Sequence, residues 1–241
     1  MLVKFCCKLL IFNALSKVKH NKFTIFLSSA CRKNGIEAPL YLCINCNMDC
    51  NMDDAYKLVG SKHNWENRDS QLKLLIRFGL KEDHDLLDFG CGILRGGINI
   101  INYLDDGKYH GYDISKKRLD VGKSIYEKSG INKKIYLSDQ IPNYKKFDVI
   151  WAFQVFIHIA DDIFDENLKL LLEHLSGYAY ISTYSTANRE SQPWMEYPHV
   201  LHDQSFYKAK FEPYNGTIVR ETPAPKVGGV SHVWRINHDK S

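Results

Sequence analysis

The residues with the most chemical potential lie between Leu86 and Gly97, "LLDFGCGILRGG". An apolar run ends in the acid Asp88, and four glycines, at 90, 92, 96 and 97, follow within eight residues. Glycines in such a turn reach backbone angles closed to other residues and let a ligand approach the main chain. A second acid, Asp113, ends the apolar stretch "YHGYDI" (109–114). A carboxylate at a strand end can accept both hydroxyls of a ribose. Turn and acid together imply a ligand that contains a nucleoside.

The dinucleotide fingerprint G-x-G-x-x-G requires a third glycine where this chain has Arg95. Asp88 would also repel a pyrophosphate, whereas it suits a cationic or amino-bearing ligand. S-adenosyl-L-methionine has a ribose, a sulfonium and an amino group, and no phosphate. It fits better than NAD.

These residues need a sheet to hold them. The text becomes regular from Asp53 onward. Asp69 or Ser70 can cap a helix with Leu72, Leu75 and Ile76 on one face, closed by Gly79. "DLLDFG" (85–90) reads as a short buried strand and "GGINIINYL" as the helix after it. "YHGYDI" is a second strand, and Ser115 caps a helix through Leu119 and Ile125 that Gly130 ends. "KIYLSD" (134–139) and "FDVIWAF" (147–153) are a third and a fourth strand. Phe164, Leu168, Leu171, Leu172 and Leu175 recur at helical spacing, with Gly177 closing that helix before "YAYISTY" (178–184). Strands alternating with helices mean crossovers and a parallel sheet. "TIVRET" (217–222) and "SHVWRIN" (231–237), separated by a Pro/Gly-rich turn, read as a closing antiparallel pair. The expected fold is a Rossmann-like α/β sheet of seven strands, mostly parallel, with an antiparallel C-terminal pair and helices on both faces.

"LLDFGCGILRGG" followed by "GYDIS" resembles the first two motifs of the class I S-adenosylmethionine-dependent methyltransferases. Asp139 after the third strand and "FDVIWAF" as the fourth extend the resemblance over about residues 60–185. It implies that Asp88 and the backbone of Gly90, Cys91 and Gly92 border the methionine moiety, with Asp113 on the ribose. Ile114 would lie against the adenine and Asp139 near its amino group. Phe153 and Gln154 would line the junction of cofactor and acceptor. The Cys91 side chain reads as a small buried filler rather than a nucleophile.

Methyl transfer from a sulfonium is an in-line displacement, so the protein mainly positions the acceptor and excludes water. A hydroxyl acceptor also benefits from a general base. His158, in "VFIHI", stands just past the fourth strand, at the rim where the acceptor must sit. "FQVFIHI" resembles the "VFTH"-like stretch of small-molecule and glycan-tailoring members, which makes His158 the candidate base or acceptor ligand. The competing reading is a helix-start histidine bonded to backbone.

Two segments are expected to build the acceptor pocket. "GSKHNWENR" (60–68) offers Lys62, His63, Trp65 and Arg68 as a lid. "NRESQPWMEYPHVLH" (188–202), expected to be long and irregular, offers Arg189, Trp194, Tyr197, His199 and His202. Clustered cations and aromatic rings suit a polar acceptor that is sugar-like or phosphorylated, and the resemblance leans toward capsule or polysaccharide precursors.

Charge and cysteines bound the alternatives. The formal charge of +4 conceals an asymmetry: residues 1–33 hold seven Lys/Arg and no acid, leaving 25 basic against 28 acidic residues in 34–241. A mildly acidic body is poorly suited to a polyanion, and no Asn/Asp-Pro-Pro-aromatic or Pro-Cys sequence is present, so nucleic acid is not the expected acceptor. Six of the seven cysteines (6, 7, 31, 43, 46 and 50) lie in the first fifty residues, which points to a reducing, cytoplasmic setting rather than a disulfide framework. Cys43, Cys46 and Cys50 lack a fourth ligand, so no metal is expected. Residues 1–51 read as a basic, Cys-rich extension that could touch an anionic membrane through residues 1–33, and 52–241 as the methyltransferase domain. The rival readings are a non-catalytic subunit of the same fold and an NAD-dependent oxidoreductase.

Overall fold

The computed structural model describes residues 69–187, 190–194, 197–225 and 228–237. The 1–51 extension, its cysteine cluster and the 60–68 segment therefore lie outside the described residues. Helix α1 (Asp69–Arg77) precedes strand β1 (Leu86–Phe89), α2 (Gly97–Tyr103), β2 (Tyr109–Tyr112), α3 (Lys116–Lys128), β3 (Ile135–Ser138) and β4 (Phe147–Phe153). A 3-10 turn (Phe156–His158) leads to α4 (Asp161–Glu173) and β5 (Leu175–Ser185). A hairpin of β6 (Glu190–Trp194) and β7 (Tyr197–Leu201), then α5 (Gln204–Phe211), precede β8 (Thr217–Ala224) and β9 (Gly229–Asn237).

Seven strands form one sheet in the order β3-β2-β1-β4-β5-β9-β8. The first five neighbours are parallel, and β9 runs antiparallel to both β5 and β8. The order reverses beside β1, so the loops after β1 and β4 diverge and leave a crevice at the carboxyl ends of the strands. Both faces are covered. Leu75 of α1, Ile100 and Ile101 of α2 and Leu119 of α3 pack on Leu86, Tyr109, Val149 and Trp151. On the opposite face Phe164 of α4 and Phe211 of α5 form a linked aromatic group with Phe156, Phe89 and Trp234.

The structure departs from the sequence expectations in four places. In α1 the buried residues are Gln71, Leu74 and Leu75, while Ile76 is 44% exposed. Gln71 is drawn inward because its Oε1 accepts the buried Trp151 Nε1–H at 2.9 Å. Gly177 does not close a helix: α4 ends at Glu173, and Gly177 lies inside β5, where a methyl group would run into the Asp148 carbonyl oxygen. The register of β4 on β5 shifts between Phe147 and Val149, so the strands approach closely at this point. Residues 190–201 are a regular hairpin rather than an irregular loop, with Pro193 opposite Pro198. Helix α5 carries no strong helical pattern in the sequence and is set by its Asp203 cap, which accepts from Phe206 N at 2.8 Å, and by burial of Tyr207 and Phe211.

Replacing Gly177 by alanine is expected to destabilise the domain by about 1–3 kcal/mol through overpacking against backbone. Chemical denaturation would show it; an unchanged midpoint would mean the β4–β5 bulge can open without cost.

Candidate functional site

The turn after β1 is pinned from above and below. Gly90 N and Cys91 N both donate to Tyr112 O, at 2.7 and 2.9 Å. Gly90 has φ +77° and faces Val155, leaving no room for a side chain. Gly92, at φ +55°, donates its N–H to Asp113 Oδ2 at 2.9 Å. Leu94 is also left-handed, φ +62°, although its side chain is fully buried. A left-handed non-glycine residue costs about 1–2 kcal/mol, so packing must hold it there.

Asp113 is 5% exposed, and its two oxygens are shared between the turn and the next helix. Oδ2 takes Gly92 N, and Oδ1 takes Ser115 N at 2.9 Å. Ser115 caps α3 as the sequence predicts, accepting from Arg118 N. A carboxylate has about four lone-pair sites, so capacity remains for ribose hydroxyls. Burial raises the Asp113 pKa, opposed by the Arg118 charge and the two backbone N–H groups.

Asp88 is equally buried, and Tyr109 Oη–H donates to its Oδ2 at 2.6 Å. Its pKa is pushed up to about 7, first by burial and then by the Asp113 charge, with the Tyr109 hydrogen bond and Arg95 pulling it down. Cys91 is buried against Gly111, and burial drives its thiol pKa far up, so it holds no thiolate at neutral pH.

At the end of β4, Phe153 stacks on Trp151 with centroids 5.3 Å apart, and the Arg95 guanidinium lies 6.0 Å from the Phe153 ring centre. Gln154 has φ +60°; its N–H donates to Ser182 Oγ at 3.2 Å and its side-chain amide to the Tyr184 hydroxyl. Ile114 is half-buried beside Asp113. Asp139 is half-buried and paired with Lys116 Nζ at 3.4 Å. His158 closes the 3-10 turn, half-buried, its N–H on Val155 O at 2.9 Å, and that turn packs against β7 and β5.

All nine residues expected at the cofactor thus gather at the carboxyl ends of β1, β2, β3 and β4. The acceptor candidates do not gather as a set. Lys62, His63, Trp65, Arg68 and Arg189 lie outside the described residues, as do the side chains of Trp194, Tyr197 and His199, which belong to the β6–β7 hairpin. His202 is 4% exposed, stacked on Phe206 at 3.6 Å with Nε2 3.0 Å from Asp161 Oδ1, inside the packing between α4 and α5. The cleft residues that sequence reasoning missed are Tyr109, Val155 and Tyr184. Arg95, read there only as a missing glycine, also belongs to the cleft.

Comparison with known proteins agrees with this fold. Residues 87–178 match the methyltransferase domain family Methyltransf_12. Magnesium protoporphyrin IX methyltransferase from Synechocystis PCC 6803, solved with bound SAM, superposes with TM-score 0.59 at 14% identity, over 92% of this chain and 99% of that one. A S-adenosylmethionine-dependent methyltransferase from Clostridium acetobutylicum ATCC 824 gives 0.54 at 13% identity, over 73% and 92%. The glycopeptide N-methyltransferase MtfA, solved with sinefungin, gives 0.56 at 10%, over 70% and 93%. The fold is that of a class I methyltransferase. Among curated sequences, the uncharacterized protein RP028 of Rickettsia prowazekii (strain Madrid E) is 28% identical over 142 residues, 54% of this chain and 56% of the relative. The chain thus spans about half the length of that relative. Among the described residues of this methyltransferase fold, no group of His, Cys, Asp and Glu is arranged to hold a metal, and no helix is long and apolar enough to cross a membrane.

Because the folded-state pKa of Asp88 exceeds its usual value of 3.8, the folded protein binds more protons than the unfolded chain between pH 4 and about 7. Its contribution therefore weakens the ligand-free fold as pH rises through that window. Asp88→Asn, which still accepts from Tyr109, is expected to be more stable than wild type at pH 8 by up to a few kcal/mol and nearly equal at pH 4. Denaturant titrations at both pH values check this; a variant less stable at pH 8 would show that the Asp88 anion supports the fold.

Proposed function

We propose that this chain is an enzyme that transfers a methyl group from S-adenosyl-L-methionine to a small polar acceptor, at oxygen. The observation that carries the cofactor is the shared carboxylate of Asp113. It fixes the glycine turn and stands at the end of β2 with lone pairs left for a ribose. Asp88, buried at the end of β1, provides negative charge for the amino and sulfonium groups, and its protonation would be displaced by that charge. The chemistry supplied by the cofactor is an electrophilic methyl; the protein's part is to orient the acceptor over Phe153 and Gln154 and to keep water out. We assign His158, which closes the 3-10 turn, as the group that takes the proton of an acceptor hydroxyl. A sugar-like acceptor, such as a capsule or polysaccharide precursor, matches the aromatic hairpin. We place the domain at 52–241, with 1–51 as a basic extension suited to an anionic membrane surface.

Calorimetry with S-adenosylmethionine, S-adenosylhomocysteine and NAD tests the site. Each charged hydrogen bond to the ribose contributes about 1.5–3 kcal/mol, so Asp113→Ala should weaken S-adenosylhomocysteine by at least about tenfold. Asp113→Asn, which keeps one acceptor oxygen for the turn, should retain the fold and fall between. NAD binding in place of the other two would move the reading to an oxidoreductase. Cofactor binding without turnover on any acceptor would favour a non-catalytic subunit.

With an acceptor in hand, His158→Gln should lower kcat by about 100-fold or more at unchanged S-adenosylhomocysteine affinity. A kcat near that of wild type, with a flattened pH profile in neither protein, would remove His158 from the chemistry.

A further inference from the structure

Arg95 carries more polar capacity than its surroundings use. Its guanidinium is half-buried above Phe153 and senses Asp88 and Tyr184. Yet among the described residues its N–H groups meet no hydrogen-bond acceptor and no carboxylate within ion-pair distance. Burial lowers its pKa, opposed by its electrostatic interactions with Tyr184 and Asp88, but a guanidinium stays protonated in any protein. A desolvated cation with five unused donors is costly to keep unless something else meets it.

Tyr184 adds a donor beside it. The Tyr184 oxygen already accepts from the Gln154 side chain, which leaves its O–H to donate, and no partner for that proton stands among the described residues. Gln154 is held for this contact by a left-handed backbone at φ +60°, tied down through Ser182. Strained non-glycine residues persist where the surroundings over-determine them, commonly at ligand sites. These groups stand at the carboxyl ends of β4 and β5, two and three strands from Asp113 on β2. On the methyltransferase reading, the acceptor enters on this side of the cleft.

We propose that Arg95 and Tyr184 form an oxyanion site there, so that the acceptor carries a carboxylate or phosphate close to the atom that receives the methyl group. The proposal rests on the methyltransferase reading and narrows its substrate class to anionic acceptors. A planar guanidinium matches either oxyanion with paired N–H bonds, and the Phe153 ring lies 6.0 Å from it. Charge balance is consistent with the assignment, since an oxyanion on the guanidinium would offset its positive charge.

The test uses the full chain saturated with S-adenosylhomocysteine, with acetate and inorganic phosphate as probes and acetamide and chloride as controls at matched ionic strength. Acetate, phosphate or both should raise the melting temperature saturably, and the controls should not. Arg95→Gln should weaken that anion by at least about tenfold, with Arg95→Lys recovering part of it and Tyr184→Phe losing less. S-adenosylhomocysteine affinity should stay within about twofold in all three, which also shows that they are folded. Absence of a saturable effect of either anion in the wild type overturns the proposal. It is overturned as well if Arg95→Gln weakens S-adenosylhomocysteine but not methylthioadenosine, which lacks the amino-acid end, because the guanidinium would then hold the cofactor's own carboxylate. Failure of S-adenosylhomocysteine to bind the wild type defeats the methyltransferase reading instead, and the anion titration is then read on the ligand-free protein.

Discussion

The Asp113 carboxylate joins the turn after β1 to the residue that caps α3. By taking Gly92 N on one oxygen and Ser115 N on the other, it converts two loop ends into one rigid floor. The cost of burying the charge is offset by those bonds and by Arg118. The alignment of the turn depends on it, because Gly90 and Cys91 are already committed to the Tyr112 carbonyl one residue earlier. A ligand meeting this floor does not have to build it. The backbone has been placed before binding, which keeps the ordering cost of binding small.

From that floor the charges of the cleft separate by strand. Asp113 stands on β2, Asp88 on β1 and Arg95 above Phe153 on β4. The two acids repel each other, and Asp88, held only by Tyr109, is the one left near neutrality. A pyrophosphate laid across β1 and β2 would add negative charge beside both. A ligand with a positive centre there relieves the repulsion and lets both acids ionise. The arrangement therefore distinguishes ligands by sign before any contact with a base or an acceptor is counted.

How much of this was legible differs between the two halves of the cleft. The cofactor half follows local rules: glycines where φ must be positive, an acid at each strand end, a serine at a cap. Single residues carry those signals, so Asp88, Gly90, Gly92, Asp113 and Ser115 could be placed from the chain alone. Tyr109 and Tyr184 could not, because each acts across neighbouring strands and strand order is not written in any one segment. Gly177 misled for a related reason. Helix ends and close strand contacts both select glycine, and only the β4–β5 register shows that the second applies. The β6–β7 hairpin was hidden by Pro193 and Pro198, which argue against a strand in general but are tolerated in a two-stranded ribbon. His202 read as an acceptor-pocket residue because it closes a stretch of cations and aromatic rings. Stacking on Phe206 buries it instead.

Two non-glycine residues at the carboxyl ends of the strands, Leu94 after β1 and Gln154 after β4, hold left-handed backbone angles. Each strained residue costs on the order of 1–3 kcal/mol, a noticeable fraction of what keeps a domain folded. A protein that needed only this sheet as a scaffold could relieve both with glycine or a wider turn. The Leu94 side chain packs against Gly97 of α2 and Gly122 of α3. Gln154 is strained so that its side chain reaches Tyr184 rather than solvent. One strained residue lies in the turn after β1 and the other at the end of β4, the two strands beside which the sheet order reverses. Strain kept at both places shows that the surrounding packing holds these two loop ends in fixed positions, which a sheet needing only its fold would not require.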